Sequence, residues 1–322
     1  MIEPDTLDLR QAAQRIQPYV HRTPILTCST LDRMCNARLF FKCENLQKVG
    51  AFKIRGATNA VMSLTTEEAA RGVATHSSGN HAAALAQAAR WRGIRSYVVM
   101  PENAPDVKKR AVAGYGAEIT FCTPTVPARE EALAQVAART GAHVVHPYND
   151  LRVITGQATA ALELCEDVPG LDCVVAPVGG GGLMSGTALA VSLLSPATAV
   201  IGAEPAGADD AYRSLQAGRI VPQTGPHTIA DGLLSSLGDL TFPIIQRHVK
   251  AIVTVSEEAI VEGMRVVWER MKIIVEPSAA VAVGALLQSR EQFPGERIGV
   301  ILSGGNADLS RLPWECHPFD AA

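Results

Sequence analysis

Short apolar runs alternate with helical patterns along most of this chain, and that alternation limits the fold more than any other feature. The strand-like runs of the first half are separated by Ala-rich or amphipathic segments: 73–76, 96–100, 118–122 and 142–146. A similar alternation extends from residue 155 to residue 302. Because strands that alternate with helices are joined by parallel crossovers, the sequence predicts an α/β fold in which mostly parallel sheets are covered by helices.

The chain is long enough for two lobes. Its 322 residues allow one large domain or two of medium size. The first group of strand-like runs predicts a small domain at residues 71–146. Residues 1–70 and 147–322 are then expected to form a larger domain together.

Composition and charge exclude several classes of protein. Hydrophobic residues make up 47% of the chain and charged residues 19%, so a large core is expected and disorder is not. With a formal net charge of −3 and no long basic run, neither nucleic acid nor a membrane is an expected partner. The N-terminus shows no secretory signal, no apolar run approaches the roughly 20 residues of a spanning helix, and the seven scattered cysteines include no Cys-x-x-Cys pair. We therefore expect a cytoplasmic protein with reduced thiols.

Lys53 stands between Phe52 and Ile54, after a strand-like run at 38–41 and before a helical segment. Burial disfavours the charged form of a lysine, which lowers its pKa and frees the amine as a nucleophile. Such an amine forms covalent links with carbonyl compounds. The alternative is a surface lysine on a turn, loosely paired with Glu44.

Four consecutive glycines, Gly179, Gly180, Gly181 and Gly182, follow a strand-like run at 173–177 and open a helical segment. Backbone N–H groups can turn inward in such a loop, and the helix N-terminus adds positive potential. The pattern therefore favours a phosphate cradle over a flexible turn. The glycine spacing differs from the dinucleotide-binding fingerprint, and no Gly-Lys-Ser/Thr of a Walker loop follows.

Two further loops follow strand-like runs. In the first, Ser77 and Ser78 precede Asn80 and His81; a serine here can cap the next helix, and the exposed N–H groups can bind a substrate carboxylate. In the second, Ser303 follows the last strand-like run, where its hydroxyl could meet a ring nitrogen. A nucleophilic lysine, a phosphate cradle and a partner for a ring nitrogen together indicate pyridoxal phosphate as cofactor.

Glu204, Asp210 and the carbonyl of Ala208 supply hard oxygen ligands within one short loop. Such a set suits a divalent cation completed by water, with Mg²⁺ expected first and Ca²⁺ or Mn²⁺ as alternatives. Solvated surface acids that bind no metal would show the same spacing.

The chain resembles the fold-type-II pyridoxal-phosphate enzymes of the serine racemase, threo-3-hydroxyaspartate dehydratase and threonine dehydratase family. The most specific motifs are the tetraglycine loop and four other segments: Phe41-Lys42-Cys43-Glu44-Asn45 with residues 50–56, residues 228–232, residues 268–272 with Glu276-Pro277, and Ser303-Gly304-Gly305-Asn306. The resemblance implies two lobes, with residues 1–70 and 147–322 as the pyridoxal-phosphate-binding domain, and a homodimer.

The resemblance also implies a role for each motif residue. Lys53 would hold the cofactor covalently and move the α-proton on one face, while Ser78 would serve the opposite face in racemising members. The cofactor contacts would be Phe52 against the ring, Asn80 at its hydroxyl, Ser303 at its nitrogen, and Gly179, Gly180, Gly181 and Gly182 at the phosphate. The substrate contacts would be Ser77, Ser78, Asn80, His81 and Arg129. The divalent cation would be bound by Glu204, Ala208 and Asp210.

These roles imply a dehydratase, or ammonia-lyase, that removes water from a 3-hydroxy amino acid and yields a 2-oxo acid and ammonia. The expected substrates are L-threo-3-hydroxyaspartate, L-serine and L-threonine, and the guanidinium of Arg129 would suit the second carboxylate of hydroxyaspartate. The first alternative is a serine racemase, although Tyr148 occupies a position that mammalian-type racemases fill with Asn. A non-catalytic module that binds small molecules through the glycine loop is the second alternative.

Overall fold

The structure is a computed structural model and describes residues 3–77, 79–104 and 106–314. Ser78, the predicted second catalytic residue, lies outside the described residues. Within the described ranges, no helix is long and apolar enough to cross a membrane. The six cysteines in those ranges are all free of disulfide bonds.

Ten strands form two sheets in the part of the chain that the structure describes. Their bounds are β1 Ile25–Leu26, β2 Arg38–Cys43, β3 Val73–His76, β4 Ser96–Pro101, β5 Glu118–Cys122, β6 His143–Val144, β7 Cys173–Pro177, β8 Ala199–Pro205, β9 Ala251–Val255 and β10 Arg297–Leu302. The larger sheet has the order β1-β2-β10-β7-β8-β9, and the smaller sheet has the order β5-β4-β3-β6. All neighbouring strands are parallel except β1 and β2.

Thirteen α-helices connect these strands within the described ranges. Their bounds are α1 Thr6–Ile16, α2 Ser29–Cys35, α3 Lys53–Met62, α4 Thr66–Ala70, α5 Asn80–Arg92, α6 Asp106–Gly114, α7 Val126–Thr140, α8 Leu151–Asp167, α9 Gly182–Leu194, α10 Asp210–Ala217, α11 Thr241–His248, α12 Glu257–Val266 and α13 Pro277–Gln288. A π-helical turn at Val267–Met271 extends α12.

Helices cover both faces of the larger sheet. Along β7, Cys173 and Val175 face a core layer built with α2, α12 and α13. Val174 and Ala176 face the opposite layer, built with α1, α8, α9 and α11. Successive side chains of a strand point to opposite faces, so a strand covered on both sides is apolar throughout. This double burial explains the continuous apolar runs in the sequence.

The smaller sheet is covered in the same way. Val73 of β3 packs with Leu85 of α5 on one face, and Ala74 packs with Leu133 of α7 on the other. All strands of this sheet lie between residues 73 and 144. The α/β fold predicted from the sequence is therefore confirmed, while the domain bounds at 70/71 and 146/147 stay a prediction.

Three local predictions need correction. The apolar positions from Leu7 to Val20 predict a helix over residues 7–20, but the helix ends at Ile16. Gln17 still has helical dihedral angles, whereas Pro18 has no N–H group to continue the helical hydrogen bonds. Ser77 is not the N-cap of α5, because that position is occupied by Gly79. The Ser77 hydroxyl instead accepts a hydrogen bond from the N–H group of Gly79 at 3.3 Å. The apolar positions Ile260, Met264, Val267 and Met271 predict an α-helix over residues 257–271, but it becomes π-helical after Val266.

Candidate active site

The predicted site residues lie in loops that follow the carboxyl ends of parallel strands. The loops after β2, β7 and β10 carry Lys53, the glycines and Ser303, respectively. The loop after β3 leads to Asn80, and the loop after β6 includes Pro147. Parallel strands present their carboxyl ends along one edge, which is where ligands bind in open α/β sheets. The loops of the two sheets meet at Lys53 and Asn80.

Lys53 begins α3, directly after Phe52. Its side chain is partly buried, and its Nζ donates a hydrogen bond to the carbonyl oxygen of Pro147 at 2.8 Å. Burial lowers the pKa of this amine to about 8, and the nearby Glu276 carboxylate opposes part of that shift. An appreciable fraction of the amine is therefore neutral near physiological pH, which a lysine nucleophile requires.

Four charged side chains, here called the buried ion cluster, anchor the segment that carries Lys53: Lys42, Glu44, Arg55 and Glu163. Arg55 donates to Glu44 at 2.7 and 2.8 Å and to Glu163 at 2.7 and 2.8 Å. Lys42 donates to Glu163 at 2.6 Å. The side chains of Lys42, Glu44 and Arg55 are completely inaccessible to solvent. Glu44 is thus bound by Arg55, and the cluster joins α3 to β2 and α8.

The glycine loop connects β7 to α9. Gly182 is the first residue of α9, and Gly181 has a left-handed backbone with φ of +90°. A Cβ added at Gly180 would lie 2.4 Å from the Tyr148 ring, and one added at Gly182 would lie 2.8 Å from the Tyr148 Cβ. A side chain at either position would collide with Tyr148, so only glycine fits here, and the loop backbone leads into the N-terminus of α9 without side chains beside its N–H groups. The loop therefore fits the phosphate of pyridoxal phosphate.

Asn80 is the first residue of α5, and its carboxamide is hydrogen-bonded at both ends. Its Nδ2 donates to the two oxygens of Glu276 at 2.9 and 3.2 Å, and its Oδ1 accepts from Nδ2 of Asn306 at 2.9 Å. Ser303, which directly follows β10, is nearly inaccessible, and its carbonyl accepts from the N–H group of Phe52 at 3.0 Å. Phe52, which directly precedes Lys53, is thus joined to Ser303, and Asn80 is joined through Glu276 to Gly304, the residue after Ser303.

Two histidines and Tyr148 extend this site toward the smaller sheet. The His146 ring lies 4.5 Å from the Tyr148 ring and 5.8 Å from the His76 ring, measured between centroids. Its Nδ1 accepts from the backbone N–H groups of Tyr148 and Asn149 at 3.3 and 2.9 Å, which places the proton of the neutral ring on Nε2. Burial lowers the pKa of His146 to about 4, and the charges of His76 and Lys53 add to the shift. His146 is a neutral hydrogen-bond donor that sequence reasoning missed.

His81 and Arg129 occupy different surroundings. His81 is buried in α5, and its Nε2 lies 3.4 Å from the carbonyl oxygen of Val145. Burial and then the charge of Lys53 lower the pKa of His81 well below its ordinary value. Arg129 is partly exposed in the first turn of α7. Burial lowers the pKa of His76, and the positive charge of Arg129 is the next largest cause. The Arg129 guanidinium therefore lies near the carboxyl end of β3, where the loop to Asn80 begins.

The predicted metal ligands lie where β8 meets α10. Glu204 accepts from the backbone N–H groups of Ala211 and Tyr212 at 2.8 and 2.7 Å. Asp210 accepts from the N–H group of Leu237 at 3.2 Å through one oxygen, while its buried Oδ1 has no hydrogen-bond partner. Both side chains are completely buried, so they are not solvated surface acids. An unpartnered buried carboxylate oxygen fits a cation. No cluster of three or more His, Cys, Asp or Glu residues suited to a metal occurs in the described ranges.

Known proteins match almost the whole chain. The family described as pyridoxal-phosphate dependent enzymes matches residues 16–304. The beta-hydroxyaspartate dehydratase of Paracoccus denitrificans is 54% identical over 314 residues, which are 98% of this chain and 100% of that protein. The crystal structure of serine racemase from Dictyostelium discoideum has a TM-score of 0.91 at 48% identity and covers 95% of this chain and 99% of its own. The maize serine racemase structure has a TM-score of 0.94 at 44% identity, with 96% and 95% coverage.

These similarities agree with the geometry of the site. The glycine loop fits a phosphate, and the amine of Lys53 has the lowered pKa that a covalent link to an aldehyde requires. The resemblance to fold-type-II pyridoxal-phosphate enzymes is confirmed over the length of the chain. The chain belongs to the pyridoxal-phosphate-dependent enzyme family.

Proposed function

We propose that this protein is a dehydratase that eliminates water from a 3-hydroxy amino acid and releases a 2-oxo acid and ammonia. The observation that carries the proposal is the amine of Lys53, which has a lowered pKa and donates to the carbonyl oxygen of Pro147. The neighbouring Tyr148 packs against the glycine loop. The chain is also 54% identical to a beta-hydroxyaspartate dehydratase. A binding module without lysine chemistry would not need a lysine with a lowered pKa at this place.

The residues of this chain divide the work of the reaction. Bound pyridoxal phosphate supplies the electron sink for the charge left when an α-proton departs. Lys53 would hold the cofactor covalently and then, as a free neutral amine, take the α-proton. Loss of that proton and the β-hydroxyl removes one water, and hydrolysis of the resulting enamine consumes one water and yields ammonia and the 2-oxo acid.

The other site residues would orient the cofactor. The N–H groups of Gly179 to Gly182, at the N-terminus of α9, would hold its phosphate. Phe52 would stack on the ring, Asn80 would donate to its hydroxyl, and Ser303 would face its nitrogen. A neutral serine leaves that nitrogen unprotonated, which weakens the electron sink and suits elimination. Ser77 and His81 would lie on the substrate side.

The first experiment measures 2-oxo acid release from L-serine, L-threonine, D-serine and the threo and erythro forms of 3-hydroxyaspartate. We expect the highest kcat/KM for a hydroxyaspartate, because Arg129 offers a charge for the second carboxylate. No release from any member of the panel would contradict the dehydratase. A serine racemase is the second candidate, supported by the 48% identity to the racemase of Dictyostelium discoideum. Accumulation of D-serine from L-serine, with little 2-oxo acid, would favour that candidate and a role for Ser78.

Replacement of Arg129 with Ala should change KM by different factors for the substrates with one and with two carboxylates. A charge-assisted hydrogen bond contributes about 1.5–3 kcal/mol, so we expect KM for 3-hydroxyaspartate to rise roughly 10- to 100-fold. KM for L-serine, which lacks the second carboxylate, should change by less than about threefold. Arg139→Ala is the matched control, because Arg139 lies on the same helix and is exposed. Equal effects on both substrates would contradict this role of Arg129.

We also propose that a divalent cation, with Mg²⁺ first and Ca²⁺ or Mn²⁺ as alternatives, is bound by Glu204, the Ala208 carbonyl and Asp210. A ligand at about 100 times its Kd stabilises a fold by about 2.7 kcal/mol, so EDTA should lower the thermal midpoint by roughly 5 °C. Asp210→Asn should abolish the response to Mg²⁺. Asp209→Asn should preserve it, because Asp209 is paired with Arg213 instead. A thermal midpoint that changes with neither Mg²⁺ nor EDTA would exclude this cation site.

A homodimer in the cytoplasm completes the proposal, and it rests on the family resemblance. Size-exclusion chromatography with light scattering should give twice the chain mass of 34.1 kDa. A mass of one chain at micromolar concentration would contradict the dimer.

A further inference from the structure

Glu276 is a buried carboxylate beside the cofactor site for which the sequence motifs specify no role. It immediately precedes α13 and is 6% exposed. Its backbone N–H donates to the carbonyl oxygen of Gly304 at 3.0 Å. A Cβ added at Gly304 would lie 2.4 Å from Oε1 of Glu276, so only glycine at residue 304 leaves room for this carboxylate. A carboxylate buried this deeply needs polar partners.

One such partner is Asn80, and the chemistry of the two groups fixes the orientation of its amide. An ionised carboxylate only accepts hydrogen bonds, so the Nδ2 of Asn80 must face Glu276. On the other side, the Asn80 Oδ1 accepts from Asn306, whose Nδ2 also donates to the carbonyl oxygen of Val49 at 2.8 Å. The two oxygens of one carboxylate can share a single N–H, here at 2.9 and 3.2 Å from Nδ2. Because the two N–H bonds of an amide diverge, the second N–H can then serve a ligand.

We propose that Glu276 is a positioning residue of the cofactor site: it orients the Asn80 carboxamide so that the second N–H is presented to the ring hydroxyl of pyridoxal phosphate. This inference rests on the proposed function, because it assumes that pyridoxal phosphate binds at Lys53. The carboxylate acts through Asn80, whose Nδ2 it binds. Asn306 holds the other end of the same carboxamide by donating to its Oδ1.

Glu276 also influences Lys53 directly. Its negative charge favours the protonated amine, which opposes the effect of burial on the Lys53 pKa. Removal of the charge should therefore lower that pKa further. A residue that only supported the packing of α13 would leave the recognition of the ring hydroxyl unchanged, so that recognition is what tests the positioning role.

The first test compares the affinity for pyridoxal phosphate with the affinity for 3-deoxypyridoxal phosphate, which lacks the ring hydroxyl. In the wild-type apoprotein, the hydroxyl should improve Kd about tenfold, the value of one well-oriented hydrogen bond. In Glu276→Gln, whose neutral amide no longer dictates the orientation of Asn80, that advantage should shrink to less than about threefold. Asn80→Ala should remove the advantage, and adding Glu276→Gln to it should change nothing more.

The second test uses the cofactor-free protein. The pH dependence of Lys53 acylation, followed by mass spectrometry, should have its midpoint near the wild-type pKa of about 8 and a lower midpoint in Glu276→Gln. Glu269→Gln is the matched control, since it removes the same charge from an exposed residue paired with Arg265 and should leave the midpoint unchanged.

The outcomes separate the inference from the proposed function. If the wild-type protein binds neither compound, the proposed function fails. If it binds pyridoxal phosphate and Glu276→Gln keeps the full hydroxyl advantage, the positioning role of Glu276 is overturned, whatever the Lys53 midpoint. An unchanged midpoint in Glu276→Gln would overturn the influence of its charge on Lys53. Should Glu276→Gln fold poorly, Gly304→Ala displaces the same carboxylate by steric contact and should also reduce the hydroxyl advantage; an unchanged advantage there would equally overturn the role.

Discussion

Lys53→Ala is expected to lower 2-oxo acid release by at least roughly 10³-fold, because both the covalent hold on the cofactor and the base for the α-proton are lost. Borohydride reduction of the wild-type protein followed by peptide mass spectrometry should find the cofactor on Lys53. The variant should show no such adduct.

Lys48→Ala is the control for that substitution. Lys48 lies in the same loop, but its amine stacks over the Trp91 ring at 5.2 Å from the centroid. It should retain activity within about twofold, since a cation–π contact on the surface contributes only about 0.5–1 kcal/mol. If Lys53→Ala retained a large part of the activity, Lys53 would not be the catalytic lysine.

Arg55→Ala is expected to cause the largest loss of stability. It removes the ion-pair partner of the buried Glu44 and leaves Lys42 as the remaining ion-pair partner of Glu163. Breaking a buried ion pair costs about 3–5 kcal/mol. Urea unfolding followed by far-UV circular dichroism measures the change. Arg22→Ala is the control: Arg22 pairs with Glu166 and Asp167 at the surface, so its removal should cost less than about 1 kcal/mol.

The pH dependence provides a further check on this cluster. Burial by itself would raise the pKa of Glu44, but Arg55 and the hydroxyl of Thr23 lower it below the ordinary value. A carboxylate with a lowered pKa in the folded state contributes stability above its unfolded pKa of about 4.3 and loses it as pH falls through the folded value. The stability gap between wild type and Arg55→Ala should therefore narrow in acid. A gap that stays constant down to about pH 3, below the unfolded pKa, would show that Glu44 is not held as an anion.

Much of the fold follows from local sequence patterns. The bounds predicted for β3 and β7 agree with the structure, because buried parallel strands are largely apolar. The bounds predicted for β5, a partly exposed edge strand, agree as well. The helix α10 had no such signal. Asp209 precedes it without a side-chain cap, and its acidic start suggested only a ligand loop. The two-residue strand β1 is too short for any periodicity.

The site was predictable where a motif is contiguous and unpredictable where burial decides. The glycine loop and the lysine between two apolar residues carry their chemistry in neighbouring positions. Arg55 looks like an ordinary surface arginine in the sequence, yet it is completely buried because Glu44 and Glu163 reach it from distant segments. His146 likewise owes its neutral state to burial and to backbone donors that only the folded chain brings to its Nδ1.

The position of β10 has a consequence for how this protein is made. Among the residues that the structure describes, β10 is the last strand, yet it lies in the middle of the larger sheet, where it pairs with β2 on one side and β7 on the other. During synthesis, β2 therefore cannot form its parallel pairing with β10 until more than 250 further residues have been made. Long-range parallel pairing of this kind is slow and exposes apolar strand edges in the meantime. Ser303 and Asn306 follow that strand, so the cofactor site stays incomplete until β10 has been synthesised.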